Sequence, residues 1–251
     1  MSEKPILVLG ATGTTGRRVA ALLTGAGHEV RAASRAGGAR FDWTDRDTWT
    51  AALDGVERVY LMAPHELPVD PEFVHAAVRG GVRRLVLLSS RGIEEMRDER
   101  LLAAERTVRE SGADWTVVRA DWFNQNFDEG FFRPAVLAGE LVLPVGDTKQ
   151  GFVDADDIAA VAAAALTEPG HEGRSYELTG PQALSFREAL DVIGEVTGRE
   201  IAFRGESDGT GPWDALTDTT PTDAVTRVTG REPRSFREYA ERAAATGAWR
   251  R

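Results

Sequence analysis

A chain of 251 residues with 42% hydrophobic content can bury a full α/β core, which excludes disorder as its ground state. A formal charge of -10 disfavours nucleic acid and anionic membrane as partners, and the absence of cysteine excludes disulfides, thiolate chemistry and cysteine-held metals. A small-molecule partner remains; no metal site is expected, and a homodimer is compatible with the composition.

Ile6-Leu7-Val8-Leu9 is a short apolar run that predicts a buried strand, and no leader of basic, apolar and small residues precedes it, so a cytoplasmic protein is expected. Glycines follow, and then Arg17 to Leu23 carries a helical pattern that stops at Gly25 and Gly27. His28 to Ala33 predicts a second strand, Arg40-Phe41-Asp42 a short third, and Asp45 to Leu53 a helix opened by Thr44 or Asp45. Val59 to Met62 gives the fourth strand. Asp70 caps a helix that runs through Arg79, Gly80-Gly81 stops it, and Arg84 to Leu88 is a fully buried fifth strand. Glu94 to Glu110 reads as a charged amphipathic helix, and Trp115 to Val118 as a sixth strand. This alternation predicts an α/β fold, a Rossmann-type doubly wound parallel sheet.

Beyond the sixth strand the alternation loosens. Short strands near Leu141-Val142-Leu143 and Ser175 to Leu178, with helices at Asp154 to Leu166, Ser185 to Val196 and from about Ser235, suggest a small substrate lobe. The expectation is a single Rossmann-type domain over 1–251, with residues of about 128–251 contributing that lobe. The apolar stretch from Asp157 to Leu166 is too short to span a bilayer. Gly205 to Pro212 has no apolar anchor and predicts a poorly ordered loop.

The turn Gly10-Ala11-Thr12-Gly13-Thr14-Thr15-Gly16 lies between a strand and a helix, where amides and the helix dipole can face a diphosphate. Gly10 suits a tight turn, Gly13 a close approach of backbone to phosphate, and Gly16 the packing of helix on strand. The turn lacks the lysine that a P-loop needs, which argues against ATP and for a dinucleotide. The second strand ends in Ser34-Arg35, where an NAD site would carry an acidic residue, and this favours NADP(H). Asp42 and Trp43 fall where an adenine edge would lie, Met62, Ala63 and Pro64 beside the ribose and nicotinamide, and Ser89-Ser90 at the end of the fifth strand.

The chain resembles the NmrA-like group of atypical short-chain dehydrogenase/reductases, with its quinone, azo-dye, triphenylmethane and ergot-alkaloid-type imine reductases. The resemblance rests on Val8 to Gly16, Val86 to Ser90, Glu105 with Ser111 to Arg119, Trp122 to Phe127, Phe152 to Ala159 and Tyr176 to Pro181. It implies that Arg119, Trp122, Phe123 and Asn126 lie by the nicotinamide. Asp157, early in its helix, reads as structural.

Two departures from the resembled group bear on chemistry. Standard short-chain dehydrogenases carry Tyr-x-x-x-Lys after the fifth strand, but Tyr60, Tyr176 and Tyr239 are not followed by such a lysine, and the corresponding helix shows Leu101 and Glu105. The section between Phe203 and Asp223 is also shorter than usual. Without a strong proton donor, the expected reaction is hydride transfer from NADPH to an acceptor that delocalises the arriving charge: a quinone, an imine or iminium, or an enone. Candidate polar helpers are Ser89, Ser90, His65 and Asn124, with Asn126 as an alternative to Asn124. The rival expectations are an NADP(H)-sensing regulatory protein without turnover, and a non-redox isomerase or cyclase on the same fold.

Overall fold

The computed structural model describes residues 4–63, 67–206 and 216–250. Its first part alternates as the apolar runs predict: β1 (Ile6–Leu9), α1 (Thr14–Gly25), β2 (Val30–Ser34), β3 (Ala39–Arg40), α2 (Asp47–Leu53), β4 (Arg58–Met62), α3 (Pro71–Arg79), β5 (Arg84–Ser90), α4 (Glu99–Arg109) and β6 (Asp114–Ala120). There follow α5 (Arg133–Ala138), β7 (Glu140–Val142), α6 (Ala155–Thr167), β8 (Arg174–Leu178), α7 (Phe186–Thr197), β9 (Ala202–Arg204), α8 (Ala224–Thr229) and α9 (Phe236–Ala245).

Seven strands form one sheet in the order β3-β2-β1-β4-β5-β6-β8, and β7 with β9 makes a separate parallel pair. The pairs of β1 with β2 and β4, of β2 with β3 and of β4 with β5 are all parallel. The order turns outward in both directions from β1 and β4, so the sheet is doubly wound and its switch point lies at the end of β1. No described helix is long and apolar enough to cross a membrane.

The chain divides into two compact units. The first holds the described residues up to Ile93, with Asp98–Arg119 and Ile158–Tyr176. Its core is aliphatic, with Leu7, Leu9, Val59, Leu61, Leu85 and Leu87 buried on adjacent strands and Phe41, Trp49 and Phe73 at one edge. The second holds Glu94–Arg97, Ala120–Asp157 and the described residues from Glu177 onward. Its core is aromatic, built from Phe127, Phe132, Phe152, Phe186, Phe236 and Tyr239 with Trp249.

Several boundaries differ from the expectation for stated reasons. The helix expected from Glu94 begins at Glu99, because the Asp98 carboxylate accepts from Leu101 N at 3.0 Å and caps it there. Arg97, just before the cap, has φ 52°, a left-handed turn that no continuing helix tolerates. The third strand stops at Arg40 rather than Asp42, whose carboxylate instead accepts from the amide and hydroxyl of Thr44. The loop expected over Gly205 to Pro212 falls, beyond Glu206, outside the described residues.

Candidate functional site

In the first unit the chain leaves β1 through Gly10 at φ 64°, a left-handed turn that favours glycine, with the Met62 side chain lying over it. Gly16 sits in the first turn of α1, and a Cβ there would overlap the carbonyl oxygen of Gly10. Both glycines are thus required by the fold itself. Gly13 is different: it is exposed, has an ordinary φ of -83°, and a Cβ would stand 3.2 Å from Gly10 O, tight but close to tolerable.

Gly13 is the N-cap of α1, with no side-chain cap and no acidic residue in the first turn. The leading amides of the helix therefore have neither a side-chain acceptor nor a local negative charge, an arrangement suited to an anion. Thr12 is exposed and Thr14 half-buried. Thr15 is buried, and its Oγ1 accepts from the Tyr60 hydroxyl at 2.9 Å, so this side chain belongs to the core.

At the end of β2, Arg35 is exposed and its guanidinium makes no hydrogen bond or ion pair among the described residues. Ser34 beside it is 7% exposed, with a buried hydroxyl that has no partner. Asp42 is half-buried, and the backbone and side-chain hydrogen bonds from Thr44 hold its carboxyl below the usual range, with smaller help from Arg35 and Arg40. Trp43 meets Phe41 and Phe73 edge-on, each at 5.1 Å, and is fixed by core packing. Ala63 is half-buried; Pro64 and His65 lie outside the described residues.

At the end of β5 both candidate hydroxyls have acceptors. Ser89 donates its hydroxyl proton to Glu105 Oε1 at 2.7 Å, and Ser90 donates to the Arg91 carbonyl at 3.1 Å, so both protons are already committed. Arg119, which the resemblance places by the nicotinamide, clasps Glu105 with Nε and Nη2, both at 2.8 Å. Arg109 adds a third cationic contact at 2.9 Å. Burial pushes the Glu105 carboxyl up, but the hydrogen bonds from Arg119 and Ser89 and the two nearby guanidinium charges outweigh it, leaving the group below its ordinary value. A carboxylate thus stands, 3% exposed, where the resembled dehydrogenases have lysine. The spacing of Glu105 and Arg109, four residues apart on one helix, was the available sequence signal for part of this cluster.

A family model described as the NmrA-like family matches residues 2–206. The chain belongs to the NmrA-like family. It is 35% identical to an uncharacterized oxidoreductase, YesF, of Bacillus subtilis, over 98% of this chain and 97% of that protein. It is 38% identical to the (4-alkanoyl-5-oxo-2,5-dihydrofuran-3-yl)methyl phosphate reductase of Streptomyces griseus, over 79% of this chain and 76% of the relative. The fold matches the crystal structure of the Citrobacter sp. triphenylmethane reductase complexed with NADP(H) at a TM-score of 0.72, with 21% identity, covering 95% of this chain and 99% of that one.

The second unit of this NmrA-like chain contains the Trp122 to Phe127 segment. Asp121 pins its start: Oδ1 accepts from Trp122 N at 2.7 Å, and Oδ2 from Gly151 N at 3.1 Å and Thr219 Oγ1 at 3.0 Å. Trp122 and Phe123 are half-buried, and Asn126 is half-buried in the tight turn that leads to Gly130. Asn124 is fully buried with neither amide atom partnered, and is closed off from solvent. Asp157 is structural, as expected: it is buried and accepts from Arg231 Nη1 and from Arg234 N at 2.8 Å. Its burial raises its pKa, against the opposing pull of those two partners. The arginines that complete this cluster carry no local motif and were not legible in the sequence.

The tyrosine phenols are all engaged. Tyr60 is buried and bonded to Thr15, Tyr176 lies 2.8 Å from His171 Nδ1, and Tyr239 donates to Asp128 Oδ1 at 2.8 Å. Burial pushes the Tyr60 and Tyr239 phenols well up, with the Asp128 charge adding to the effect at Tyr239. Among the described residues there is no cluster of side chains suited to a metal ion.

Proposed function

We propose that this chain is an NADPH-dependent reductase that passes hydride to a conjugated small molecule: a quinone, an imine or iminium, or an enone. The observation that carries this reading is the opening of α1, where Gly13 leaves the leading amides without a side-chain cap or acidic neighbour. Gly10 and Gly16 are explained by the fold, but exposed Gly13, with its ordinary backbone, is better explained by the space a phosphate needs.

The residues present fit the cofactor. The amides of α1 would hold the diphosphate, and exposed Arg35 would pair with the 2′-phosphate through directed, charge-assisted hydrogen bonds. Ser34, with its unpartnered hydroxyl, would be the neighbouring donor to that phosphate. Bound NADPH would supply a hydride, which is one proton carrying two electrons, and leave as NADP+.

Among the described residues the candidate hydroxyl protons are already engaged, which favours an acceptor that needs no acid. Ser89 and Ser90 have committed theirs, and the phenols of Tyr60 and Tyr239 are buried and held neutral. An acceptor that spreads the incoming negative charge needs no acid at the moment of transfer; a quinone, enone or neutral imine then takes one proton from water, and an iminium takes none. The name of the S. griseus relative describes such an acceptor, an unsaturated carbonyl ring. With a charge of -10 the partner is this small molecule rather than a polyanion.

The test is NADPH oxidation, followed by the absorbance of the reduced nicotinamide, across a panel of quinones, imines and enones. Turnover with at least one class is expected. Tight NADPH binding with no turnover on any of them would favour a sensing role, and absence of NADPH binding would remove the reading altogether.

A further inference from the structure

The second unit holds a half-open cavity of about 980 Å³, a size found among small-molecule sites. It lies where α5, α7 and α9 end, and Ala138, Val196 and Ala244 give it an apolar wall. Trp249 also lines it and is fixed in place: it is 3% exposed, donates Nε1 to Phe127 O at 2.8 Å, and meets Tyr239 edge-on at 6.3 Å.

The charged groups of the cavity divide in two. Arg199 is committed to the frame: Nη2 donates to Leu137 O at 2.8 Å and Val136 O at 3.2 Å, near the end of α5, and Nη1 donates to Trp249 O at 3.4 Å. Glu200 and Arg250 line the same cavity, are exposed, and make no side-chain hydrogen bond or ion pair among the described residues, with each other or with any third group. The Arg250 stem is held, since its amide donates to Gly247 O at 3.0 Å and a Cβ on Gly247 would stand 3.2 Å from Arg250 Cδ.

Glu200 lies just past α7, which stops at Gly198 with φ 67° and has no basic residue in its last turn. The partial negative charge of the last α7 carbonyls adds to the Glu200 carboxylate, and this end of the cavity favours a cation. Arg250 offers the planar donor fork that suits a carboxylate. A simple anion would be opposed by Glu200 and a simple cation by Arg250, whereas a molecule carrying both poles satisfies both.

We infer that this cavity binds an apolar α-amino acid, with its ammonium at Glu200 and the end of α7, its carboxylate at Arg250, and its side chain on the wall of Ala138, Val196 and Ala244. The site needs neither NADPH nor turnover and is independent of the reductase reading.

The probe is L-phenylalanine, compared with N-acetyl-L-phenylalanine, which lacks the ammonium, and L-phenylalaninamide, which lacks the carboxylate. Binding to wild type, Glu200→Gln and Arg250→Gln is measured by isothermal titration calorimetry, with thermal unfolding and NADPH affinity as controls that should not move. Wild type should bind phenylalanine with a Kd on the order of 1 mM, as a ligand of so few atoms allows, and each capped form about 3- to 10-fold more weakly. Glu200→Gln should weaken phenylalanine by a similar factor without weakening the N-acetyl form, and Arg250→Gln should weaken it without weakening the amide. No phenylalanine binding by wild type at about 10 mM would overturn the site, as would equal binding of the three ligands or an equal loss of free and capped forms in the variants. The wild-type comparison of the three ligands decides the matter even where a variant fails to fold.

Discussion

In the first unit the strands β1, β4 and β5 satisfy their backbone groups on one another, and aliphatic side chains such as Leu7, Leu61 and Leu87 need only fill the space between sheet and helices. In the second unit the strands β7 and β9 have three residues each, and the elements are held instead by ring contacts and by carboxylates reaching across the chain. Asp154, fully buried, lies 2.8 Å from Arg234 Nη1, which also reaches Asp156, while Asp157 takes Arg231 and the Arg234 amide. Where a backbone ladder is short, specific side-chain pairs carry the geometry. The first unit should therefore tolerate loss of a polar side chain better than the second.

The largest effect expected from this contrast in a variant that still folds is at Arg234. Replacing it by alanine leaves the fully buried Asp154 without its guanidinium, and breaking a buried pair in this way costs about 3–5 kcal/mol. Urea unfolding of Arg234→Ala checks this, and a loss under about 1 kcal/mol would put the pair with ordinary surface bridges and erase the contrast.

In the first unit the comparable test separates fold from binding at two glycines. Gly16→Val should fail to fold, because its Cβ overlaps the Gly10 carbonyl. Gly13→Val should fold within about 1 kcal/mol of wild type yet lose NADPH affinity by about 100-fold or more, since the side chain fills the approach to the α1 amides. Unchanged affinity in a fluorescence titration of the folded variant would take the phosphate away from this turn.

A smaller effect is expected at Arg35. Alanine there should weaken NADPH by about tenfold or more and barely alter NADH, given about 1.5 to 3 kcal/mol for a charge-assisted hydrogen bond. Equal affinity of the wild type for the two cofactors in direct titration would leave Arg35 without a role in discrimination.

The smallest effect is one of pH, and its sign differs between the units. The Glu105 carboxyl is held below its ordinary value, so its contribution to stability is complete above that value, about 4.3, and is lost as pH falls through the depressed one. Asp157 is held above its ordinary value, so its protonation during acidification favours the folded state. Glu105→Gln should flatten the acid-side loss of stability in urea titrations between about pH 5 and pH 3. An identical acid limb in the variant would show that Glu105 carries no net linkage.

The same contrast governs what could be read from the sequence. Ile6 to Leu9, the glycine turn and the helix after it announce themselves locally, because apolar runs, glycines and caps such as Asp70 act over a few residues. The helices Arg133–Ala138 and Ala224–Thr229, six residues each, and the strand Ala202–Arg204 were not anticipated, since such short pieces display no period. The commitments of Ser89 and Arg119 to Glu105 join residues 16 and 14 positions apart, respectively. The family resemblance marked Glu105 and Arg119 as notable residues but not as partners, because a hydrogen bond between separate elements leaves no local trace.

The clamp at Asp157 also has a consequence in time. Its arginine partners lie 74 and 77 residues further along the chain. The segments of the first unit are all synthesised by Tyr176, whereas Asp154 and Asp157 wait for Arg231 and Arg234. On the ribosome the sheet can close while the aromatic half still lacks its counter-charges, so the order of assembly is set by where two arginines are encoded. Chains stalled just before Arg231 should show a protease-resistant first unit and a sensitive second one, and equal resistance of the two would show that the aromatic core closes without its clamp.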